Sequence, residues 1–212
     1  MQAATKGMKY SDLSGRIIFK IQHLKLALFS FLSTLLNRII WSLQRLKSGT
    51  GIKHFGLAKI SRFPGSVISV GNDCVFRSDK TSNLIGVNRR CIISTHDTNA
   101  VITIGNSCGF SGVSIGCLQA IHIGNNVLVG ANAIITDFDW HNVNPLKRRD
   151  KCETAKPVII GDNVFIGVNA IVLKGVSIGR NSVIGANSVV TANIPPNCIA
   201  AGNPAKIVKK LE

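Results

Sequence analysis

A six-residue repeat runs from Ile160 to Gly202 and constrains the fold more than any other feature of the sequence. A period of six differs from the 3.6 of a helix and the 2 of an ordinary strand. It fits a chain that forms one flat face in each six residues and then turns a corner, so that three faces close a coil of about eighteen residues. An ordinary all-β domain with many glycine turns would not keep this register, so the repeat predicts a mainly β fold, the parallel β-helix. An aliphatic residue opens each of the first six units: Ile160, Ile166, Val172, Ile178, Ile184 and Val190.

The same signature recurs earlier in the chain and sets the expected domain boundaries. Units of this kind open at Val70, Ile85, Ile104, Ile123 and Val129. We therefore predict a flexible amino terminus at residues 1–16, a basic helical segment at 17–62 and the β-helix domain at 63–212. A loop at 136–157 is the long interruption of the ladder. Loops held on a rigid scaffold are where functional residues concentrate.

Positive charge is concentrated before the β-helix. Residues 1–62 hold eleven of the 25 Lys and Arg residues against one acidic residue, Asp12, in a chain of formal net charge +15. Polar positions recur every three or four residues in segment 17–46, which predicts an amphipathic α-helix. Its longest charge-free run is twelve residues, too short to span a bilayer unaided. The helix either lies in a membrane interface, as a peripheral anchor, or packs on the β-helix or on a partner subunit.

Cysteine and histidine spacing argues against disulfide and metal chemistry. The six cysteines show no CxxC pair, and Cys74 and Cys108 fall at a small, buried place of the repeat. This pattern favours a reducing, cytoplasmic compartment. The five histidines show no short-spaced pair of metal-ligand type, so no metal is expected. The basic segment has no interleaved aromatic residues for base stacking, which argues against nucleic acid as a partner.

The run from Lys156 to Leu211, with PPN followed by GNPAK, resembles the hexapeptide-repeat acetyltransferases. It is most similar to the maltose and galactoside O-acetyltransferases and the sugar O-acetyltransferases of surface-polysaccharide pathways. The resemblance covers about Val67 to Leu211. It implies a left-handed parallel β-helix, a homotrimer, and acetyl-coenzyme A (acetyl-CoA) bound between neighbouring subunits.

The resemblance also implies a set of site residues. His141, in the long loop, takes the place of the catalytic base, with Asp139 or Asp137 to orient its ring. Both aspartates are also explained as residues that cap the turn. The backbone N–H of Val168, after Gly167, takes the place of the oxyanion donor. The carried-over coenzyme contacts are Ala186 and Thr191 along the pantetheine, and Lys206 and Lys209 near the phosphate end. His96 and His122 are interpreted as structural.

The function that follows is transfer of acetyl from acetyl-CoA to a sugar hydroxyl, with a saccharide acceptor from surface-polysaccharide synthesis. A histidine with a pKa near 6.5 can take the proton of a hydroxyl that attacks a thioester. The basic helix would bring the enzyme to a lipid-linked glycan at the inner membrane face. The alternatives are N-acetylation of an amino sugar, a metal-dependent enzyme on the same scaffold, and a non-catalytic β-helix protein.

Overall fold

The computed structural model describes residues 12–151 and 154–212, in which one helix precedes a stack of short strands. The helix, α1, spans Leu13–Leu43. Each later coil of the chain contributes three strands. The first three coils contain β1 (Lys47–Ser48), β2 (Lys53–Phe55), β3 (Lys59–Ser61), β4 (Val67–Val70), β5 (Val75–Arg77), β6 (Ile92–Thr95), β7 (Val101–Ile104), β8 (Gly109–Ser111) and β9 (Ser114–Cys117). The next three contain β10 (Ala120–Ile123), β11 (Leu128–Val129), β12 (Ile134–Thr136), β13 (Val158–Ile160), β14 (Phe165–Ile166), β15 (Ile171–Val172), β16 (Ser177–Ile178), β17 (Val183–Ile184) and β18 (Val189–Val190). The chain closes with β19 (Cys198–Gly202) and β20 (Ala205–Lys210), which pair antiparallel.

Equivalent strands of successive coils pair in parallel and form three faces. Face A contains β1, β4, β7, β10, β13 and β16; face B contains β2, β5, β8, β11, β14, β17, β19 and β20; face C contains β3, β6, β9, β12, β15 and β18. Residues that open successive repeats lie opposite each other one coil apart, as Ile160 does with Ile178. Both side chains are buried in the core that the faces enclose. The parallel β-helix predicted from the six-residue period is confirmed.

The corners depend on asparagine in the left-handed backbone region. The short amide tolerates this region because it can hydrogen-bond locally. The amides also join corners of successive coils: Nδ2 of Asn163 donates to Oδ1 of Asn181 at 3.0 Å, and Nδ2 of Asn181 donates to Oδ1 of Asn197 at 2.8 Å. The fourth place of the repeat therefore shapes each turn and links it to the next coil. Four of these residues have φ between 56° and 59°: Asn163, Asn169, Asn181 and Asn187.

The β-helix begins one coil earlier than the sequence predicts. β1, β2 and β3 form a coil within the segment 17–62 assigned to the basic helical region, and α1 ends at Leu43. The predicted boundary at residue 63 is therefore wrong. This coil keeps a glycine at the second place of the unit, Gly49, but opens on Ser48 instead of an aliphatic residue and has Gly51 at the left-handed corner instead of asparagine. Of the predicted flexible segment 1–16, residues 1–11 lie outside the described residues and 13–16 belong to α1.

The polar side of α1 packs against this first coil. Ser33, Asn37 and Trp41 are the buried residues of the helix. Ser33 Oγ accepts from the N–H of Gly56 at 3.1 Å, and Asn37 Oδ1 accepts from the N–H of Ala58 at 3.1 Å. An edge strand presents unpaired N–H and C=O groups, so these side chains take the place of a missing coil. Packing on the β-helix is confirmed, but through the polar stripe.

Trp41 closes the open end of the core. Its ring meets His54 at 4.8 Å and Phe76 at 5.4 Å, edge to face. Phe76 stacks in turn on Phe110 at 5.0 Å. Burial lowers the pKa of His54 to about 4, since the charged imidazolium loses its hydration there. These contacting aromatic rings therefore fill the end of the β-helix core beneath α1.

Two insertions interrupt the coils. Residues 78–91 leave the ladder between β5 and β6, and residues 137–157 leave it between β12 and β13. The repeat unit predicted at Ile85 lies in the first insertion and forms no strand, so that prediction is wrong. Ile85 is 64% exposed, and Gly86 turns the chain outward with φ +102°. The motif occurs there without ladder pairing; its backbone is bonded instead by the side chain of Asn132, which accepts from the N–H of Asn88 at 3.0 Å and donates to the carbonyl of Gly86 at 2.9 Å.

Candidate active site

The two ends of the loop that carries His141 contact each other where the loop leaves face C. We call these paired segments, residues 137–138 and 155–156, the neck of the loop. Phe138 and Ala155 form an isolated antiparallel bridge. Beside it, the N–H of Lys156 donates to the carbonyl of Asp137 at 2.8 Å. The loop then contains a short 3-10 helix, Pro145–Lys147. These contacts join the two ends of the loop where it leaves the ladder.

Asp137 is the anchor of this neck. Its carboxylate is fully buried and accepts from the backbone N–H groups of Leu118, Gln119 and Ala120, each at 2.7 Å. These groups form the corner of the coil below, between β9 and β10. Burial and the nearby Asp137 carboxylate raise the pKa of the Cys117 thiol, which donates to that carboxylate at 3.4 Å. Asp137 therefore caps a turn, and the prediction that it orients His141 is corrected.

Asp139 and Lys151 form ion pairs that connect the loop to other coils. Asp139 pairs with Lys174, which follows β15 in the coil above, and both side chains are partly exposed. Lys151 pairs with Asp97 at 2.9 Å, beyond β6 two coils below. Within the described part of the chain, neither aspartate of the predicted pair hydrogen-bonds His141. A role for Asp139 in orienting that ring stays a prediction.

His96 belongs to the loop environment, although sequence reasoning treats it as structural. Its ring lies 5.0 Å from Trp140 and 5.2 Å from Phe138. Nε2 of His96 lies 2.9 Å from the hydroxyl of Ser94. The pKa of His96 is lowered by burial, and the nearby Asp137 carboxylate offsets only part of that shift. No short-range sequence signal links His96 to the loop, because Trp140 makes the connection across the fold.

Gly116 makes room for this aromatic cluster. A Cβ at Gly116 would lie 2.6 Å from a ring carbon of Trp140, closer than real contacts allow. The indole therefore rests directly on the backbone of β9 in face C. His122, the other histidine interpreted as structural, bonds Thr103 at 2.8 Å on face A and lies outside this cluster.

His141 follows Trp140 and projects from the anchored neck. Its side chain is exposed. Over residues 12–151 and 154–212, no hydrogen bond, ion pair or ring contact holds its imidazole. The residues just before it are held by contacts, Asp137 by three backbone N–H groups and Trp140 by the ring of His96, so the exposed ring of His141 follows an anchored stretch of chain. Such a ring is free to bond a substrate hydroxyl.

The predicted oxyanion donor lies at another corner. The N–H of Gly167 is used by the ladder, since it donates to the carbonyl of Ile184 at 2.8 Å. The N–H groups of Val168 and, one coil above, Ala186 have no hydrogen-bond acceptor among the described residues. A Cβ at Gly167 would lie 2.5 Å from the nitrogen of Ala186, so the two corners are in close contact. Two free donors are thus stacked at the corner between faces B and C.

The predicted site residues do not meet within one chain. His141 and Thr191 follow strands of face C and lie toward face A, whereas Val168 and Ala186 lie at the opposite edge of face C. Six residues separate these edges, or about 20 Å of extended chain. Lys206 and Lys209 are exposed on β20, which closes face B at the carboxy-terminal end. Among the described residues, no group of three His, Cys, Asp or Glu could hold a metal ion.

Comparisons with known proteins agree with this architecture. The family model described as the hexapeptide repeat of succinyl-transferase matches residues 120–136 and 157–192. An N-acyltransferase from Bacillus cereus, solved with dTDP and coenzyme A, has the same fold with a TM-score of 0.63 and 19% identity over 82% of this chain and 89% of its own. A hexapeptide-repeat acetyltransferase from Vibrio cholerae, solved with acetyl-CoA, gives a TM-score of 0.53 and 24% identity over 81% of this chain and 76% of its own. The fold is thus the left-handed parallel β-helix of hexapeptide-repeat proteins, with an amino-terminal α-helix.

The sequence resemblance to acetyltransferases is confirmed as well. The galactoside O-acetyltransferase of Lactococcus lactis is 45% identical over 91 residues, which are 43% of this chain and 44% of that enzyme. The chain spans about half the length of the curated relatives it matches. The residues that the family model matches, 120–136 and 157–192, lie on either side of the loop, so that likeness concerns the scaffold that supports it.

Proposed function

We propose that this protein is an acetyl-CoA-dependent O-acetyltransferase that acts on a sugar hydroxyl. The observation that carries the proposal is the unpartnered imidazole of His141 on a loop neck fixed by Asp137. A general base must be held rigidly and yet be free to accept a proton from a substrate. The likeness to a galactoside O-acetyltransferase supports the same chemistry.

In the proposed mechanism, His141 removes the proton of the acceptor hydroxyl as its oxygen attacks the thioester carbonyl. The carbonyl oxygen becomes an oxyanion, and the N–H of Val168 would donate to it. When the tetrahedral intermediate collapses, the C–S bond breaks and the imidazolium returns its proton to the thiolate. The products are the acetyl ester and free coenzyme A. Asp139 would steady the imidazolium if its ion pair with Lys174 rearranged on binding.

We propose that the site is completed by a second copy of the chain in a homotrimer. His141 and Val168 lie at opposite edges of face C, so the two groups can meet at one thioester only across an interface. Acetyl-CoA would then lie between neighbouring protomers, along Ala186 and Thr191 and toward Lys206 and Lys209. Light scattering tests the assembly, because a trimer has three times the mass of the 22.7 kDa chain. A monomer that turns over acetyl-CoA would refute this arrangement.

The proposed acceptor is a saccharide precursor of a surface polysaccharide, and the proposed compartment is the cytoplasm. The exposed aromatic surface of Trp140 beside His141 suits a sugar ring, which stacks its apolar side on an indole. An amino sugar is the alternative acceptor. Release of coenzyme A thiol across sugars, nucleotide sugars and amino sugars identifies the acceptor. Treatment of the product with hydroxylamine then distinguishes the two reactions, since an acetyl ester is cleaved and an amide is not.

Substitution of His141 tests the proposed base. We expect His141→Ala to lower kcat by roughly 10²- to 10⁴-fold, the usual contribution of a general base. The matched control is His122→Ala, which removes another exposed imidazole on face A and should change kcat less than about 2-fold. Unchanged turnover in His141→Ala, with the assembly intact, would move the catalytic base elsewhere.

A further inference from the structure

The outward side of α1 is an apolar stripe that the β-helix leaves uncovered. Its members follow one another at intervals of three or four residues, so at about 100° per residue they share one side of the helix. That side is opposite Asn37, whose face is occupied by the first coil. Each side chain of the stripe is between 47% and 72% exposed in the chain. The stripe consists of Ile17, Ile21, Leu24, Leu28, Leu32, Leu35 and Ile39.

Basic residues border this apolar stripe. By the same helical geometry, Lys20 and Arg38 lie on one side of it and Lys25 on the other. Residues 12–62 carry nine Lys and Arg against Asp12, a net charge of +8, and residues 13–43 contain no acidic residue. None of these cations forms an ion pair with a described residue of the chain. An apolar stripe bordered by free cations matches a surface with anionic head groups above acyl chains.

We propose that α1 lies flat on an anionic lipid surface, with the apolar stripe in the boundary between head groups and acyl chains. The proposal is independent of the proposed catalysis, because it rests on the helix alone. Although its longest charge-free run is only twelve residues, the 31-residue length and the mean hydropathy of α1 would also allow it to cross a membrane. The polar bonds of residues 33–44 to the first coil oppose this, because a spanning helix would draw Lys53 and Lys59 into the bilayer.

A second copy of α1 is a poorer occupant of the stripe. The spacing of three and four residues would permit helix pairing, in which opposite charges beside the seam favour one partner over another. Every charged residue of the helix is basic, so Lys20, Lys25 and Arg38 would gain no opposite-charge contact from a second α1. Anionic lipid turns the same three cations into favourable contacts.

The contacts of α1 also fix the orientation of the bound protein. Thr34 bonds the N–H of His54 at 2.9 Å, and Gln44 bonds the carbonyl of Ile60 at 3.2 Å. The helix therefore lies along the first coil and crosses the end of the solenoid. A membrane that receives the stripe would be parallel to the coils. In a trimer with parallel solenoids, three such helices would face the same surface and bind it together.

Vesicle co-sedimentation of the full-length protein tests the proposal. We expect binding to vesicles that contain phosphatidylglycerol, at least 10-fold weaker binding to pure phosphatidylcholine, and loss of the difference in 0.5 M salt. Leu28→Gln with Leu35→Gln should weaken binding to the anionic vesicles at least 10-fold. The matched control is Ile207→Gln with Val208→Gln, which removes two exposed apolar side chains from β20 and should change binding less than 2-fold.

Three outcomes would overturn the proposal. The first is no binding of the unchanged protein to either kind of vesicle. The second is equal binding by the Leu28 and Leu35 double variant, with its helix intact by circular dichroism. The third combines two results: the unchanged protein does not bind vesicles, and the double variant has a lower oligomeric mass without lipid. That combination would assign the stripe to a second copy of the chain. The double variant Lys20→Gln with Lys25→Gln tests the charge contribution separately, since it should remove most of the preference for anionic vesicles over phosphatidylcholine.

Discussion

Replacing Asn37 by alanine should destabilise the protein although alanine is the better helix former. Asn37 is fully buried, and its amide donates to the carbonyl of Gly56 at 3.1 Å while accepting from the N–H of Ala58 at 3.1 Å. The substitution leaves both backbone groups buried without a partner, which costs about 1–3 kcal/mol each. The higher helix propensity of alanine returns only about 0.6 kcal/mol. The expected net loss is about 1.4–5.4 kcal/mol in the free energy of unfolding.

Urea unfolding followed by circular dichroism at fixed protein concentration measures this loss. The matched control is Ile39→Ala, two residues further along the same helix, where the side chain points away from the β-helix. In the absence of lipid that change should cost less than about 0.5 kcal/mol, as surface substitutions usually do. If Asn37→Ala were as stable as the unchanged protein, or if Ile39→Ala were the more damaging change, the polar contact between α1 and the first coil would be refuted.

Two further stability predictions follow from the core and the corners. Burial lowers the pKa of His54 from 6.5 to about 4. The unfolded chain therefore binds a proton at a higher pH than the folded chain does. The free energy of unfolding should fall by up to about 3 kcal/mol as the pH drops from about 6.5 toward 4. His54→Phe should remove most of that fall and keep the stacking on Phe76; identical pH slopes in thermal melts of the two proteins would contradict it. At Asn181, with φ +59°, Gly should be more stable than Ala by about 1 kcal/mol, because only Ala bears the cost of the left-handed region while both lose the amide ladder. Equal urea midpoints for Asn181→Gly and Asn181→Ala would count against that account.

The six-residue period was sufficient to predict the inner coils. It places Ile160 opposite Ile178 because the same side chain must fill the same position one coil later. It also explains why Gly167 is required, since a Cβ there would meet the backbone of the next coil. The fourth-place asparagines carried a further signal that could have been found, because a non-glycine residue at a tight corner is most often asparagine.

The ends of the β-helix were harder to predict for a physical reason. The first coil has a neighbour on one side only, so its sequence need not repeat the signature of a coil paired on both sides. α1 satisfies its open edge through Ser33, Thr34 and Asn37, residues that a simple amphipathic pattern assigns to solvent. The unit at Ile85 shows the converse, since it matches the motif but is bonded by the Asn132 side chain instead of forming a strand.

The division of roles between Asp137 and Asp139 also depended on contacts distant in sequence. Both residues belong to the same short stretch before His141, and local spacing does not separate them. The corner at residues 118–120 supplies three N–H groups to Asp137, whereas Lys174 in the coil above pairs with Asp139. His96 joined the loop environment in the same way, through Trp140.

The two proposals are linked by the rigidity of the ladder. Three coil spacings of about 4.8 Å separate the first coil from the fourth, which carries His141, or about 14 Å. A helix about 10 Å wide lies between the first coil and the boundary of head groups and acyl chains. If both proposals hold, His141 lies about 25 Å above that boundary, and the paired strands between them allow little change in that height. A lipid-linked acceptor would then have to present its hydroxyl at that distance, which favours an extended glycan over the sugar attached directly to the lipid.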